Sequence, residues 1–302
     1  MRVVVADPLA YAEPFASELR AALPGLDLRM WPDLAANADY DILVAWTLPP
    51  DLVSLPDSLK AVLCFGAGID QLLADPRLPD HLPIARLHDP AQADQLLDYA
   101  MHAAFARLQD DVGVRTNQAA RAWIAPPAPN RSREGLAVAV LGLGSLGAHV
   151  ASGLASAGFA VSAWSRSARS LDGVRCWHGA DDLLACVDAA DLLISLLPAA
   201  PELRGILSAP LFDRLAPGAY VANLGRGEHL DEAALRQALD RGRLGGAWLD
   251  VFAVEPLPDT HWFWTHPRVR LTPHRAGLPT PRGTAQAIAG VVGALRAGLP
   301  LR

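Results

Sequence analysis

The segment from Leu136 to Arg166 constrains the fold of this chain more than any other stretch. It opens with an apolar run, continues with Gly142, Gly144 and Gly147 in the spacing G-x-G-x-x-G, and closes with a second apolar run at 159–164. Between the two runs, leucine and valine recur four residues apart, as they do on one face of a helix. The order strand, glycine turn, helix and strand is the setting in which this spacing indicates a dinucleotide-binding unit.

Each glycine of this unit has a separate physical task. Gly142 permits a tight turn, Gly144 lets the backbone approach a pyrophosphate, and Gly147 lets the helix pack against the strand. Ser145 and Leu146 lie at the predicted N-terminus of this helix. The unpaired N–H groups and the positive end of the helix dipole there favour the binding of a phosphate. The alternative is a glycine-rich turn that binds no ligand.

The end of the second strand indicates which dinucleotide is bound. An NAD site usually has an acidic residue about 20 residues after the glycines, where it binds the ribose 2′-OH. Here Ser165, Arg166 and Ser167 occupy that place, without a carboxylate. A guanidinium can bind a 2′-phosphate through paired, charge-assisted hydrogen bonds. The sequence therefore predicts NADP(H), with NAD(H) as the second choice; the alternative is that Arg166 is merely a solvated loop charge.

Apolar runs and helical periodicities alternate along the rest of the chain, which indicates an α/β fold with parallel sheets. Further strands are predicted at 2–7, 26–31, 40–46, 59–66, 83–87, 191–197, 219–224, 246–252 and 269–272. Helices are predicted at 13–23, 92–110, 231–239 and 280–297, with short helices within 201–215 and a Pro-rich loop at 123–133. Asp231 is the expected N-cap of the third of these helices. Two such series in tandem predict two doubly wound parallel-sheet domains.

Composition excludes several classes of protein. With 302 residues and 51% hydrophobic residues, the chain is long and apolar enough for two folded domains. A net charge of −6 without a basic run argues against nucleic-acid binding. Lys60 is the only lysine, which excludes a P-loop. The three cysteines lack metal-ligand spacing and fit a reducing, cytoplasmic compartment. The uncharged stretch 136–164 divides into strand, turn and helix, so no membrane segment is expected.

A second glycine turn follows an apolar strand in the first third of the chain. Gly66 is followed by Ala67, Gly68 and Ile69. Small residues between a strand and a helix can direct successive N–H groups at an anion. We therefore expect the backbone of these three residues to bind a carboxylate; the alternative is a plain strand-to-helix turn.

Three polar residues follow predicted strands in the second half: Arg226, Glu255 and His274. Ligands of doubly wound sheets lie beyond the carboxyl ends of the strands. An anion binder, a carboxylate and an acid/base are what the reduction of a 2-keto acid by hydride transfer requires, because a proton must reach the carbonyl oxygen. A carboxylate beside the imidazole would stabilise its protonated form. The alternatives are a surface arginine, a loop carboxylate and a buried histidine.

Taken in order, these motifs resemble the D-isomer-specific 2-hydroxyacid dehydrogenase family, and in particular its glyoxylate/hydroxypyruvate reductase branch, which prefers NADPH. The resemblance rests on GAG at 66–68, GLGSLG at 142–147, WSRS at 164–167, NLGRG at 223–227, LDVF at 249–252, EPLP at 255–258 and TPH at 272–274. It covers almost the whole chain.

The resemblance implies catalytic and substrate-binding roles. Arg226 would bind the substrate and polarise its carbonyl, His274 would be the general acid, and Glu255 would be the partner of the histidine. The backbone from Ala67 to Ile69 would hold the substrate carboxylate. Trp46, which follows the third strand, would line the substrate pocket, unless it is only a core aromatic at a strand end.

The resemblance also implies a cofactor site and a domain arrangement. The residues expected at the cofactor are Gly142, Gly144, Ser145, Leu146, Gly147, Ser165, Arg166, Ser167, Leu197, Pro198, Leu224, Gly225, Asp250 and His274. Asp250 has a structural role as its alternative. Residues 1–97 and 277–302 would form the substrate domain and 98–276 the dinucleotide-binding domain, with the active site in the cleft between them and a homodimer as the expected assembly.

The predicted activity is the NADPH-dependent reduction of a small keto acid such as glyoxylate or hydroxypyruvate. The alternatives are a dehydrogenase of another 2-hydroxy acid, such as 3-phosphoglycerate, and a nucleotide-sensing protein on the same fold. Glu255 disfavours formate dehydrogenase, in which a glutamine would be expected at that place. The chain departs from the family pattern at Gly225, Arg275 and the bulky segment 261–264. The last two bear on which substrate is used.

Overall fold

The computed structural model describes residues 1–7, 10, 14–31, 38–124 and 132–301, which form two compact units. The first unit contains residues 1–92 and 278–302, and the second contains residues 93–277. Each has a parallel sheet with helices, so the predicted fold class of two parallel-sheet α/β domains is confirmed. No helix within the described ranges is both long and apolar enough to cross a membrane.

The strands, in chain order, are β1 (Arg2–Val5), β2 (Asp27–Met30), β3 (Ile42–Ala45), β4 (Ala61–Cys64), β5 (Ile84–Arg86), β6 (Ala137–Leu141), β7 (Ala160–Ser165), β8 (Val174–His178), β9 (Leu192–Ser195), β10 (Ala219–Asn223), β11 (Leu244–Leu249) and β12 (Val269–Leu271). The helices are α1 (Phe15–Ala22), α2 (Asp70–Leu73), α3 (Pro90–Leu108), α4 (Asp111–Ala119), α5 (Ser145–Ser156), α6 (Leu183–Val187), α7 (Ala209–Phe212), α8 (Glu232–Asp240) and α9 (Pro281–Ala297).

The first unit is built on a five-stranded sheet with the order β2-β1-β3-β4-β5. All neighbouring strands are parallel, with Val3 opposite Ile42 and Ile42 opposite Ala61. Strands β3 and β4 are buried along their whole length, which explains why they are continuous apolar runs in the sequence. Helix α9 returns to this unit, where Ile288 and Val291 complete the core.

Asp89 forms hydrogen bonds with both segments by which the chain leaves and re-enters the first unit. Its buried carboxylate accepts hydrogen bonds from the N–H and the hydroxyl of Thr280, both at 2.8 Å, and from the N–H of Ala91 at 3.0 Å. Thr280 in turn caps α9 by accepting from the N–H of Gly283. The departing helix α3 and the returning helix α9 are therefore tied to one carboxylate.

The second unit is built on a seven-stranded parallel sheet with the order β12-β11-β10-β9-β6-β7-β8. Central strand β6 places Val138 between Val161 of β7 and Leu192 of β9. The strand order reverses between β6 and β9, which is the switch point where ligands of such sheets bind, beyond the carboxyl ends of the strands. The predicted cofactor and catalytic residues lie at or beyond the carboxyl ends of strands of this sheet.

Several elements differ from the sequence predictions. Strand β8 and helix α4 were not predicted, because β8 is a partly exposed edge strand and α4 lacks a clear apolar stripe.

Asp231, the predicted N-cap of α8, accepts a hydrogen bond from the N–H of Ala234, which confirms that prediction. The predicted first helix begins at residue 13, and most of the Pro-rich loop lies at 125–131; both places are outside the described residues.

Candidate active site

The first glycine turn has the geometry that its sequence predicts. Gly142 has a φ of +100°, and a Cβ there would lie 2.8 Å from the carbonyl oxygen of Leu196. A Cβ at Gly147 would overlap the carbonyl oxygen of Gly142. Both positions therefore require glycine, because one needs a left-handed backbone and both have backbone in close contact.

Gly144 is different, because a Cβ there would have no described atom within 4 Å. This open space lies at the N-terminus of α5, where no side chain caps the helix. The first-turn N–H groups, including those of Ser145 and Leu146, have no partner inside the helix and remain available to an anion. The turn thus fits a pyrophosphate, which is the group that the spacing predicts.

The end of β7 presents an exposed guanidinium beside a fixed serine. Ser165 is buried, and its hydroxyl donates to the carbonyl of Ser167 at 2.7 Å. The Arg166 side chain is 90% exposed and is paired with Glu202 only at 3.8 Å. An exposed pair at this distance contributes little, so a phosphate can readily replace Glu202 as the partner of Arg166.

The loop after β9 packs tightly on the turn after β10. A Cβ at Gly225 would lie 2.8 Å from the carbonyl oxygen of Leu197, so glycine lets the two backbones approach closely. The buried His229 ring makes a hydrogen bond of 3.1 Å from Nε2 to the carbonyl of Pro198. A carbonyl oxygen can only accept, so Nε2 carries the proton. Leu197 and Leu224 are buried, and this packing fixes the predicted cofactor loop.

Arg226 is held between two close backbone contacts. Asn223 donates from Nδ2 to the Arg226 carbonyl at 2.8 Å, and the Arg226 guanidinium donates to the carbonyl of Gly225 at 2.8 Å. On the other side, a Cβ at Gly227 would overlap the peptide between Phe252 and Ala253. This contact sets the turn of Arg226 directly against the loop that carries Glu255.

Glu255 and His274 form a hydrogen-bonded pair. Oε2 of Glu255 lies 2.8 Å from Nδ1 of His274, and Oε1 accepts from the N–H of Phe252 at 2.8 Å. A carboxylate only accepts, so Nδ1 carries a proton and Nε2 is the nitrogen through which His274 can exchange one. The pair occupies the strand ends where the sequence predicts an acid and its partner.

Glu255 keeps its charge despite partial burial. Burial is the largest single influence and raises the pKa of its carboxyl. The hydrogen bonds from His274 and from the N–H of Phe252, together with the charges of His274 and Arg226, outweigh burial and hold the pKa below its ordinary value of 4.5. The three predicted catalytic residues are therefore close enough to interact electrostatically.

Asp250 organises the turn that carries His274. Its carboxylate, in a residue only 2% exposed, accepts from the Thr272 hydroxyl at 2.5 Å and from the N–H groups of Arg275 and Ala276 at 2.9 and 2.8 Å. His274 itself has a φ of +47°, in the left-handed region that non-glycine residues seldom occupy. The structural alternative for Asp250 is thus observed, and its contact with the cofactor stays a prediction.

The second glycine turn lies within the first unit, against Trp46. A Cβ at Gly66 would overlap the Trp46 ring, so ring and turn are in direct contact. The thiol of Cys64 donates to the carbonyl of Gly68 at 3.0 Å. The N–H groups of residues 67–69 donate to no other described residue, although these residues are half-buried. Such N–H groups can bind an anion.

The two departures from the family pattern that bear on the substrate, Arg275 and the segment 261–264, lie in different environments. The segment 261–264 is only partly buried in the second unit: Phe263 is buried, Trp264 is 54% exposed, and Nε2 of His261 lies 2.9 Å from Glu232 on α8. Arg275 is exposed directly after His274, and no described acidic side chain pairs with it. Arg275 is therefore a charged side chain directly beside His274 that is available to an anionic ligand.

Sequence reasoning missed three residues that shape the site: Asn223, His229 and Cys64. Each acts through a hydrogen bond to a backbone carbonyl: Asn223 and Cys64 bond within their own turns, and His229 bonds to Pro198 on another loop. Asn223 stands at the end of a predicted strand, next to Arg226, and that position was a usable signal. Cys64 likewise lies just before the predicted glycine turn, whereas the partner of His229 lies 31 residues away and leaves no local pattern.

Comparison with known proteins points to one family. Residues 101–276 match the family model described as "D-isomer specific 2-hydroxyacid dehydrogenase, NAD binding domain". A glyoxylate/hydroxypyruvate reductase A of Serratia proteamaculans is 39% identical over 304 residues, covering 99% of this chain and 96% of the relative.

Solved structures agree with the sequence comparison. A D-isomer specific 2-hydroxyacid dehydrogenase from Xanthobacter autotrophicus Py2, in complex with NADPH and MES, has a TM-score of 0.89 at 34% identity and covers 99% of this chain and 96% of its own. An NADPH-dependent glyoxylate/hydroxypyruvate reductase from Sinorhizobium meliloti, in complex with NADP and sulfate, has a TM-score of 0.87 at 32% identity, covering 100% and 97%.

Proposed function

Because the chain belongs to the D-isomer specific 2-hydroxyacid dehydrogenase family and is thus an NAD(P)-dependent oxidoreductase, we propose that it reduces glyoxylate or hydroxypyruvate to the 2-hydroxy acid with NADPH. The observation that carries the proposal is the Glu255–His274 hydrogen bond of 2.8 Å beside the turn of Arg226. The reductase names of the relatives and the NADP-bound neighbours support the choice of substrate and cofactor.

The catalytic roles follow from the chemistry of the three side chains. His274 delivers a proton from Nε2 to the carbonyl oxygen while Glu255 holds Nδ1 and stabilises the imidazolium. Arg226 binds the substrate and polarises its carbonyl, and its guanidinium stabilises the negative charge that develops on the oxygen. The protein thus supplies the proton that the oxygen takes up, while the carbonyl carbon would receive the hydride of the bound cofactor, so that C=O becomes H–C–OH.

The cofactor residues keep the roles predicted for them. The N-terminus of α5 and the glycine turn bind the pyrophosphate, and the Ser165–Ser167 segment with Arg166 binds the 2′-phosphate. Residues 197–198 and 224–225, together with Asp250, line the nicotinamide end. When bound, the nicotinamide nucleotide supplies the hydride.

The substrate carboxylate is assigned to the N–H groups of residues 67–69, with Trp46 packed on their turn. This assignment rests on the N–H groups that donate to no other described residue. A small keto acid needs such a site, because its carboxylate must be held while the neighbouring carbonyl reacts.

The test is the decay of NADPH absorbance with glyoxylate and with hydroxypyruvate, in the wild type and in His274→Ala. Removal of a general acid typically costs about 10²–10⁴-fold in turnover, and NADPH binding, followed by its fluorescence, should persist. The control is His81→Ala, which removes an exposed histidine of the first unit and should leave turnover unchanged. Full activity of His274→Ala would remove His274 from the mechanism.

The same assay separates the alternative functions. A dehydrogenase of 3-phosphoglycerate would act on the phosphorylated keto acid in preference to glyoxylate. A nucleotide sensor would bind NADPH without turnover of any keto acid, and the intact set of Arg226, Glu255 and His274 argues against it.

A homodimer in the cytoplasm is the remaining expectation. Val114, Trp123 and Ile124 of the second unit expose 56%, 101% and 64% of their surface, which supports a partner on that face. Light scattering coupled to size-exclusion chromatography measures the mass, and a monomer at micromolar concentration would contradict the expectation.

A further inference from the structure

Tyr99, a residue that no sequence motif singles out, begins a chain of hydrogen bonds that ends at the turn of His274. Its hydroxyl lies 2.7 Å from the hydroxyl of Thr272, which donates to Oδ1 of Asp250 at 2.5 Å. A threonine hydroxyl has one proton, and here that proton goes to the carboxylate. Tyr99 must therefore be the donor to Thr272, so the chain runs in one direction, from Tyr99 to Asp250.

Asp250, the last member of this chain of hydrogen bonds, also binds the backbone N–H groups of His274 and of the two residues that follow it. Its own carbonyl accepts from the N–H of His274 at 2.8 Å, and its carboxylate accepts from the next two N–H groups, of Arg275 and Ala276. The left-handed φ of His274 is an unfavourable conformation, which persists only where the surroundings enforce it. The orientation of the Asp250 carboxylate is thus part of what enforces it.

Tyr99 is itself well fixed. It lies on α3, and its ring meets the ring of Trp248 edge to face, with centroids 6.3 Å apart. Burial is the main cause that raises the pKa of its hydroxyl to about 12. The hydroxyl therefore stays protonated, and remains a donor, over the whole pH range in which an enzyme of this kind is assayed.

We propose that Tyr99 is a positioning residue for the proton donor His274 and acts through Thr272 and Asp250. The inference rests on the proposed function, since it assigns a role in that same reaction. Loss of the Tyr99 hydroxyl frees the Thr272 hydroxyl to rotate away from Asp250, which loosens the turn and misplaces the imidazole. Misplacement lowers turnover rather than cofactor binding.

The experiment compares Tyr99→Phe, Thr272→Val and the double variant in steady-state reduction of glyoxylate by NADPH. We expect Tyr99→Phe to lower kcat about three- to ten-fold, the range that corresponds to one hydrogen bond, with the KM for NADPH changed less than about two-fold. In the Thr272→Val background, Tyr99→Phe should have no further effect on kcat, because its route to Asp250 is already cut. Thr272→Ser, which keeps the hydroxyl, should restore kcat.

Tyr220→Phe is the matched control. Tyr220 is also a buried tyrosine of the second unit with its pKa raised to about 12 by burial, and its hydroxyl accepts from the N–H of Val112 rather than contacting Thr272. The Tyr220→Phe variant should be less stable than the wild type, and its kcat should be unchanged. Equal kcat losses in Tyr99→Phe and Tyr220→Phe would show a general effect of destabilisation and overturn the proposal, as would additive effects of the Tyr99 and Thr272 changes.

A measurement without turnover separates this inference from the proposed function. The imidazole C2 proton of His274, assigned by its absence in His274→Ala, should change its NMR shift in Tyr99→Phe and keep it in Tyr220→Phe. An unchanged resonance in Tyr99→Phe would overturn the positioning role even in an active enzyme. Inactivity of the wild type on every keto acid would instead overturn the proposed function, while a shifted resonance would keep the link between Tyr99 and His274.

Discussion

Nδ1 of His274 lies 2.8 Å from Oε2 of Glu255, and the other oxygen of that carboxylate is bound by the N–H of Phe252. The backbone contact fixes the carboxylate, and the carboxylate fixes the imidazole. In the proposed mechanism, Nε2 is the nitrogen that would exchange a proton. The charge of Glu255 would then influence the pH dependence of the reaction.

Glu255→Gln should move the pH optimum of reduction to lower pH. The amide carries no negative charge, so it stabilises a protonated imidazole less than the carboxylate does. A charged hydrogen bond is worth about 1.5–3 kcal/mol, so kcat/KM at neutral pH should fall about ten- to one-hundred-fold. The measurement is kcat/KM for glyoxylate between pH 5 and 9; a profile that coincides with the wild type would contradict the assignment.

The same substitution should reveal a stability term that depends on pH. Folding lowers the pKa of Glu255 from its ordinary value of 4.5, so its stabilisation is fully present above that pH and is lost as the pH falls toward the lowered value. The wild type should therefore have a higher Tm than Glu255→Gln at pH 6, and the difference should shrink below pH 4.5. A difference in Tm that is constant over this range would show that the pKa is not lowered.

Gly227→Ala should destabilise the second unit and reduce turnover. Its Cβ would overlap the peptide between Phe252 and Ala253, so the loop that carries Glu255 must move. Overpacking of this kind costs about 1–3 kcal/mol. Urea unfolding and kcat measure the two effects. The control is Gly293→Ala on α9, where a Cβ meets no described atom, and a gain of up to about 1 kcal/mol is expected there.

Arg166→Ala should lower the preference for NADPH over NADH. Charge-assisted hydrogen bonds to the 2′-phosphate would be lost, at about 1.5–3 kcal/mol, so kcat/KM for NADPH should fall about ten- to one-hundred-fold while that for NADH stays nearly constant. Arg29→Ala, which removes an exposed arginine paired with Asp27 in the first unit, is the control. Parallel losses with both cofactors would mean that Arg166 does not recognise the 2′-phosphate.

Gly66→Ala should weaken binding of the keto acid and spare the cofactor. The added Cβ would push against the ring of Trp46, which shifts the turn whose N–H groups are assigned to the substrate carboxylate. A misplacement of about 1 Å can cost up to about 10²-fold, and we expect the KM for glyoxylate to rise by about ten-fold. Gly290→Ala on α9 is the control, and an unchanged KM for glyoxylate in Gly66→Ala would argue against this site.

The sequence predicted those features that depend on neighbouring residues. The roles of Gly142 and Gly147 were predicted because turn geometry and close packing are local requirements, and the cap at Asp231 because capping spans three residues. The strand-end position of Arg226 and His274 followed from the topology of parallel sheets.

Contacts between distant parts of the chain were not predictable in the same way. Tyr99 and Thr272 are 173 residues apart, and Asp89 and Thr280 are 191 apart. Such pairs leave no periodicity, because each partner is an ordinary polar residue in its own segment. Edge strand β8 was missed for a related reason, since its side chains are only partly covered and the apolar signal is weak.

The return of α9 to the first unit has a consequence for biosynthesis. Residues 93–277 are contiguous, whereas the sheet of residues 1–92 lacks Ile288, Val291 and the rest of α9 until residues 281–297 have been translated. Domains generally fold as units while the chain emerges from the ribosome. The first unit is therefore completed only after the second unit has been translated, and the apolar side of its sheet that α9 covers remains partly uncovered until then.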